Sequence, residues 1–317
     1  MSNRTMVLYG RSGTFKTANC GFVAQYIYEK TGKKTRYIYA DGGSWAHIKP
    51  LADIGILEPF MIVDNPNPMA TIKGILIDKL WPLGLDKDFK QTSPKCTKDM
   101  SDVGAYIIEG ITSLSELLQS KYRGKKLGMA PAYSSVEKSV LEGGQDHSLG
   151  SLSMDSYGLV QGEMSEILTR SWQLPVELVL WTGHEATGED EQTRKAIRGV
   201  ALVGQAATSR IGKRIGTMIH AQQVQKKSQD IQNLEVETRY YFQSHADPSF
   251  PAIAWEAKSR VPAMQVDNLL KKFPGGFFMP GKEKGLDEYL KMEDDLLHKS
   301  TSFLQEWKAK VDKEKSR

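Results

Sequence analysis

The chain has 317 residues, a length that allows two domains or one large α/β domain carrying a tail. Hydrophobic residues make up 40% and charged residues 25%, an ordinary globular composition that excludes disorder and collagen-like repeats. With 42 Lys and Arg against 38 Asp and Glu the formal charge is +4, too small for bulk attraction to nucleic acid, so any anionic partner must be met by local clusters.

The cysteines, Cys20 and Cys96, are only 2 and far apart, which argues against a disulfide framework or a cysteine zinc site and for a reducing cytoplasm. No run approaches the roughly 18 apolar residues of a membrane span, and the N-terminal Met-Ser-Asn-Arg-Thr does not read as a secretion signal.

In chain order, Thr5–Tyr9 is a short apolar, β-prone run ending at Gly10, and 17–30 reads as a helix with Phe22, Val23, Tyr26 and Ile27 on one side. Further β-prone runs span Thr35–Ala40, ending at Asp41-Gly42-Gly43, and Phe60–Val63, ending at Asp64-Asn65-Pro66. Two more span Ala105–Ile108, ending at Glu109, and Val176–Thr182, ending at Gly183-His184. The runs are continuous rather than alternating, as expected of strands buried on both faces. Helical patterns at 113–122 and 155–173 alternate with them, which predicts an α/β fold with a mostly parallel sheet between helices. Open sheets of this kind bind ligands just past their strand ends, where the polar residues cluster.

Two segments break the alternation. Residues 123–154 are rich in Gly, Ser and Lys, and 185–209 mix charges with Gly and Ala; both read as long functional loops. Beyond Gly281 the composition shifts to Lys, Glu, Asp and Leu, with Leu286, Leu290, Leu297, Leu304 and Trp307 at near-helical spacing. The expected organisation is a core over 1–281 and a charged amphipathic helical tail over 282–317, the helix or helices covering 285–313.

Gly10-Arg11-Ser12-Gly13-Thr14-Phe15-Lys16-Thr17 lies after a strand and opens a helix, the setting of a Walker A phosphate loop. In such a loop the backbone amides converge on phosphate oxygens, the lysine gives a point charge to the outer phosphates, and the hydroxyl binds Mg²⁺. Phe15 stands where Gly usually precedes the lysine. The bland alternative is an ordinary strand-to-helix turn.

With the later strand ends added, residues 4–280 resemble the RecA-like P-loop ATPase core, in particular phage-encoded nucleotide-binding proteins of the RecA-like single-strand annealing type. The resemblance implies ATP with Mg²⁺ and assigns roles position by position. Asp41, after Tyr37-Ile38-Tyr39-Ala40, matches the acidic residue acting as base toward the attacking water; otherwise it opens a Gly-Gly turn. Glu109 matches the Mg²⁺-linked acidic residue, usually Asp in the family, which would leave Thr17 and Glu109 to hold the metal; otherwise it caps a helix. His184 matches a polar γ-phosphate sensor that would report to 185–209, and Gly204–Arg214 is similar to the segment behind the family's DNA-contacting loop. Lys258 and Arg260, in Ala254-Trp-Glu-Ala-Lys-Ser-Arg260, match a strand from which one subunit reaches a neighbour's nucleotide; otherwise they are charges on an edge strand.

The implied activity is ATP hydrolysis by a homo-oligomer, ring or filament, with nucleotide at the subunit interfaces, acting in the cytoplasm of a host if phage-encoded. Single-stranded DNA is a further expected partner through Lys121, Arg123, Lys125 and Lys126 in one loop and Arg194, Lys195, Arg198, Arg210, Lys213 and Arg214 in or beyond the other. Glu185, Glu189, Asp190 and Glu191 dilute that second cluster. Two alternatives compete. One is a nucleotide-dependent viral assembly or scaffold protein with slow turnover, favoured by Phe15 and Glu109. The other is a small-molecule kinase whose lid arginines would come from 194–214.

Overall fold

The computed structural model describes residues 4–41, 48–62, 65, 67–122, 154–189, 196–202, 211, 215–227, 236–243, 253–255 and 285–315. Lys258 and Arg260 lie outside the described residues, as do Arg123, Lys125, Lys126, Arg194, Lys195, Arg210, Lys213 and Arg214.

β1 (Arg4–Gly10) leads into α1 (Lys16–Thr31), β2 (Lys34–Tyr39), α2 (Lys49–Asp53), β3 (Leu57–Met61) and α3 (Pro68–Leu76). A small ribbon of β4 (Trp81–Pro82) and β5 (Cys96–Thr97) precedes β6 (Val103–Glu109), α4 (Ile111–Tyr122), α5 (Met154–Ser171) and β7 (Leu178–Gly183). Then come β8 (Glu185–Glu189), β9 (Ala196–Val200), β10 (Thr217–Lys227), β11 (Val236–Gln243), β12 (Ile253–Trp255) and α6 (Leu286–Lys315).

The main sheet has seven strands in the order β11-β10-β1-β7-β6-β2-β3. Six are mutually parallel and β11 alone runs antiparallel, against β10. β1, β6 and β7 are buried along their whole length, as their unbroken apolar runs require. One face packs on α1, α2 and the start of α6 through Met6, Leu8, Tyr37, Ile107, Leu180 and Leu286. The other packs on α3, α4 and α5 through Val7, Ile38, Ile108, Val179 and Trp181, the alternate residues of the same strands. The result is a mostly parallel sheet flanked by helices with a C-terminal helix, the expected α/β class. Both cysteines are free, Cys20 buried and Cys96 exposed.

Three features depart from expectation. Residues 185–209, expected as a loop, contain the antiparallel hairpin β8–β9, to which β12 adds in parallel. The third β-prone run is shifted: β3 spans Leu57–Met61, pulled toward the N-terminus by its register with β2, where Thr35 pairs with Leu57. β10 and β11 give no clear strand signal in the sequence, since only the first half of Thr217–Lys227 is apolar, and its Gln- and Lys-rich half pairs with β11.

α6 is a single helix of 30 residues. Its first turns belong to the core: Leu286, Tyr289 and Leu290 are buried against α1, whereas Leu297, one heptad after Leu290, is exposed. An ionic network fastens this end. Arg4, 7% exposed, bonds Glu177 and Asp294 at 2.9 Å each and approaches Glu293 at 3.5 Å, while Lys30 pairs with Asp294 at 2.8 Å and also with Glu177. Among the described residues no helix is long and apolar enough to cross a membrane.

Candidate phosphate-binding site

Gly10 ends β1 so close to β10 that a Cβ there would lie 2.2 Å from the Ala221 carbonyl oxygen, so only glycine fits. The chain then turns through Gly13 at φ 78° and Phe15 at φ 60°, ψ 29°. Phe15 therefore holds the left-handed conformation that glycine adopts freely and a side chain adopts at a cost of about 1–2 kcal/mol. Asn19, fully buried, steadies it: its amide donates to the Phe15 carbonyl at 2.8 Å and its backbone N–H donates to the same oxygen at 3.1 Å. The Asn19 side-chain oxygen in turn accepts the Leu286 N–H at 2.9 Å, joining α1 to the start of α6.

Within the loop, Thr14 donates its hydroxyl to the Arg11 carbonyl at 2.8 Å. Lys16, the first residue of α1, turns its ammonium back across the loop and donates to the carbonyls of Gly10 at 3.0 Å and Arg11 at 2.8 Å. Burial lowers the Lys16 pKa, opposed by the negative charges of Glu109 and Asp41. A desolvated ammonium among loop carbonyls, beside the first-turn amides of a helix that have no intrahelical acceptors, is matched to an anion.

The acidic side of the site comes from β6. Glu109 is 4% exposed, and both carboxylate oxygens are engaged: Thr17 donates its hydroxyl to one and Tyr37 donates its phenol to the other. Burial raises the Glu109 pKa, and the two hydrogen bonds and Lys16 oppose that rise. Glu109 is thus engaged with α1 and β2. A hydroxyl and a carboxylate in direct contact beside the lysine form the hard-oxygen donor pair that Mg²⁺ takes, so the residues present fit that ion.

β2 and β7 deliver the remaining candidates to the same edge. Asp41 follows β2, His184 follows β7, and His184 Nε2 lies 3.4 Å from an Asp41 carboxylate oxygen. Their approach across the end of β6 depends on Gly110, at φ 95°, where a Cβ would crowd the Asp41 amide at 3.1 Å. Thr112 fixes the histidine backbone, its hydroxyl accepting the His184 N–H at 3.0 Å while donating to the Ala201 carbonyl at 2.9 Å. Arg11, largely exposed, bonds Glu185 at 2.7 Å, and Glu185 reaches the buried His220 of β10 at 2.8 Å. Burial alone would raise the Glu185 pKa, but the bonds from His220 and Arg11 leave it lowered.

The structure therefore brings Gly10–Thr17, Asp41, Glu109 and His184 to one edge. Sequence reasoning does not find Tyr37, Asn19, Glu185 and His220 as members of this site. Only Tyr37 carries any signal, because in Tyr37-Ile-Tyr39 the alternation puts it on one face of its strand with Tyr39, but its nearness to Glu109 depends on the strand order.

No protein-family model and no curated protein matches this sequence. Among solved structures, the flagellar accessory protein FlaH from Methanocaldococcus jannaschii is similar at 9% identity, covering 75% of this chain and 76% of that one with a TM-score of 0.34.

Proposed function

We propose that the chain is a RecA-like P-loop protein that binds ATP with Mg²⁺ and hydrolyses its β–γ bond. The observation that carries this reading is the meeting of Lys16 and Thr17, at the start of α1, with Glu109 from a separate strand: a cation for phosphate beside an oxygen pair for a metal. In this scheme the loop amides and Lys16 hold the phosphates, and Thr17 and Glu109 hold Mg²⁺. The bound ion would neutralise charge on the outer phosphates. Asp41 accepts a proton from the attacking water, and His184, 3.4 Å from it, answers to the terminal phosphate.

The wider reading has the protein act as a homo-oligomer on single-stranded DNA. Its support is in the sequence: the cations at 121–126 and 194–214, and Lys258 and Arg260 as cations offered to a neighbour's nucleotide. A second reading, nucleotide-ordered assembly with negligible turnover, is favoured by Phe15, whose left-handed backbone must be held by Asn19 where a glycine would need no help.

Phosphate release from ATP, measured with and without single-stranded DNA, separates these readings. Mg²⁺-dependent release that DNA stimulates supports the first. Tight binding without release supports the second, and absence of ATP binding refutes both.

A further inference from the structure

We propose that Tyr37 is the positioning residue that lets a glutamate serve at position 109 as the metal-side acid, an inference that rests on the nucleotide-binding reading above. Tyr39 on β2 is the cross-strand partner of Glu109 on β6, and Tyr37 is the partner of Ile107. Tyr37 and Glu109 are therefore diagonal neighbours on the face covered by α1, with backbones about 7–8 Å apart. That gap is closed only by two long side chains. The Tyr37 hydroxyl donates to one Glu109 oxygen, and the Thr17 hydroxyl donates to the other.

An aspartate would be shorter by one carbon–carbon bond, about 1.5 Å, and would carry the carboxylate out of the phenol's reach. The extra methylene also gives glutamate one more rotatable bond, and a carboxylate free to turn makes a poor metal partner. The Tyr37 phenol removes that freedom. It is fully buried, stacked beside Tyr39 with ring centroids 6.3 Å apart, and has no room to swing with the carboxylate. When Thr17 turns its hydroxyl toward a metal, the bond from Tyr37 remains and keeps the other carboxylate oxygen facing the loop. Glutamate at 109 and tyrosine at 37 are thus a matched pair, and the departure from the shorter acid is compensated two strand positions away.

The test is a Mg²⁺ titration of ATPγS binding by calorimetry, with a parallel measurement in EDTA. Tyr37→Phe deletes only the hydroxyl. It should raise the Mg²⁺ concentration for half-saturation about 10-fold or more, the usual scale for removing a partner that orients a metal ligand, while leaving affinity in EDTA within about twofold. Glu109→Asp should show a similar shift, and adding Tyr37→Phe to it should change little further, because the shorter acid no longer reaches the phenol. The proposal is overturned if Tyr37→Phe keeps the wild-type Mg²⁺ dependence. It is also overturned if affinity falls equally with and without Mg²⁺, as mere structural damage would do, or if Tyr37→Phe costs as much in the Glu109→Asp background as in the parent. Should the parent protein bind no ATPγS under either condition, the nucleotide-binding reading itself fails. Should it bind equally well with and without Mg²⁺, nucleotide binding stands and the role assigned to Tyr37 falls.

Discussion

Asn19→Ala tests whether the Gly10–Thr17 loop leans on the C-terminal helix. The Asn19 side chain makes two bonds in a site with no solvent access, to the Leu286 N–H at 2.9 Å and to the Phe15 carbonyl at 2.8 Å. Alanine strands the Leu286 amide, at a cost of about 1–3 kcal/mol for an unsatisfied buried donor. The Phe15 carbonyl keeps the Asn19 N–H at 3.1 Å, so the second loss is the net value of an ordinary hydrogen bond, about 1 kcal/mol. The sum is about 2–4 kcal/mol, which for a chain of this size lowers Tm by roughly 4–16 °C. Thermal unfolding followed by circular dichroism reads that shift, and ATP titration reads its functional companion: weaker binding, because Phe15 is held less firmly in a backbone conformation it does not favour. A variant within about 0.5 kcal/mol of the parent that also binds ATP normally would refute the reasoning, since that is the range of a surface substitution.

Asp41→Asn should leave ATP binding nearly intact and lower hydrolysis by about 10²-fold or more, and single-turnover phosphate release checks this. The Lys30 and Tyr26 bonds and the Arg4 charge hold the Asp294 carboxyl below its ordinary value of 3.8 against the upward push of burial. A depressed folded pKa gives stability that is complete above 3.8 and lost as pH falls through the folded value, so urea midpoints should drop more between pH 6 and pH 3 for the parent than for Asp294→Asn. Equal drops would show that the carboxylate does not fasten α6. For Lys258 and Arg260, the double alanine variant should bind ATP but hydrolyse it slowly, and mixing it with Lys16→Ala should restore activity. Mixed oligomers as inactive as their parents would mean that the two cations serve no neighbouring site.

The strand, loop and helix that open the chain are legible because Gly10, Lys16 and Thr17 stand at fixed spacing after an apolar run. Asp41, Glu109 and His184 are legible for a shared reason: each ends such a run, and in a parallel sheet all those ends lie on one edge. Their neighbours are not legible, because no spacing within a strand reveals strand order. Only the order β1-β7-β6-β2 shows that Asp41 and His184 meet across Gly110 and that Tyr37 lies diagonal to Glu109. β10 is hidden in the sequence because half of it is polar, although it supplies the carbonyl that demands glycine at position 10 and the histidine that holds Glu185. The tail's heptad pattern is visible, but not that its first turns are core, which depends on the buried faces of Leu286 and Leu290 meeting α1.

The proposed function turns on whether the loop from Gly10 to Thr17 holds the phosphates of ATP. Calorimetric titration of ATP into the parent and into Lys16→Ala, both with Mg²⁺ present, tests it most directly. One site per chain is expected in the parent and loss of measurable binding in the variant, because it is the Lys16 ammonium that reaches across that loop. Equal affinity in the two proteins would contradict it.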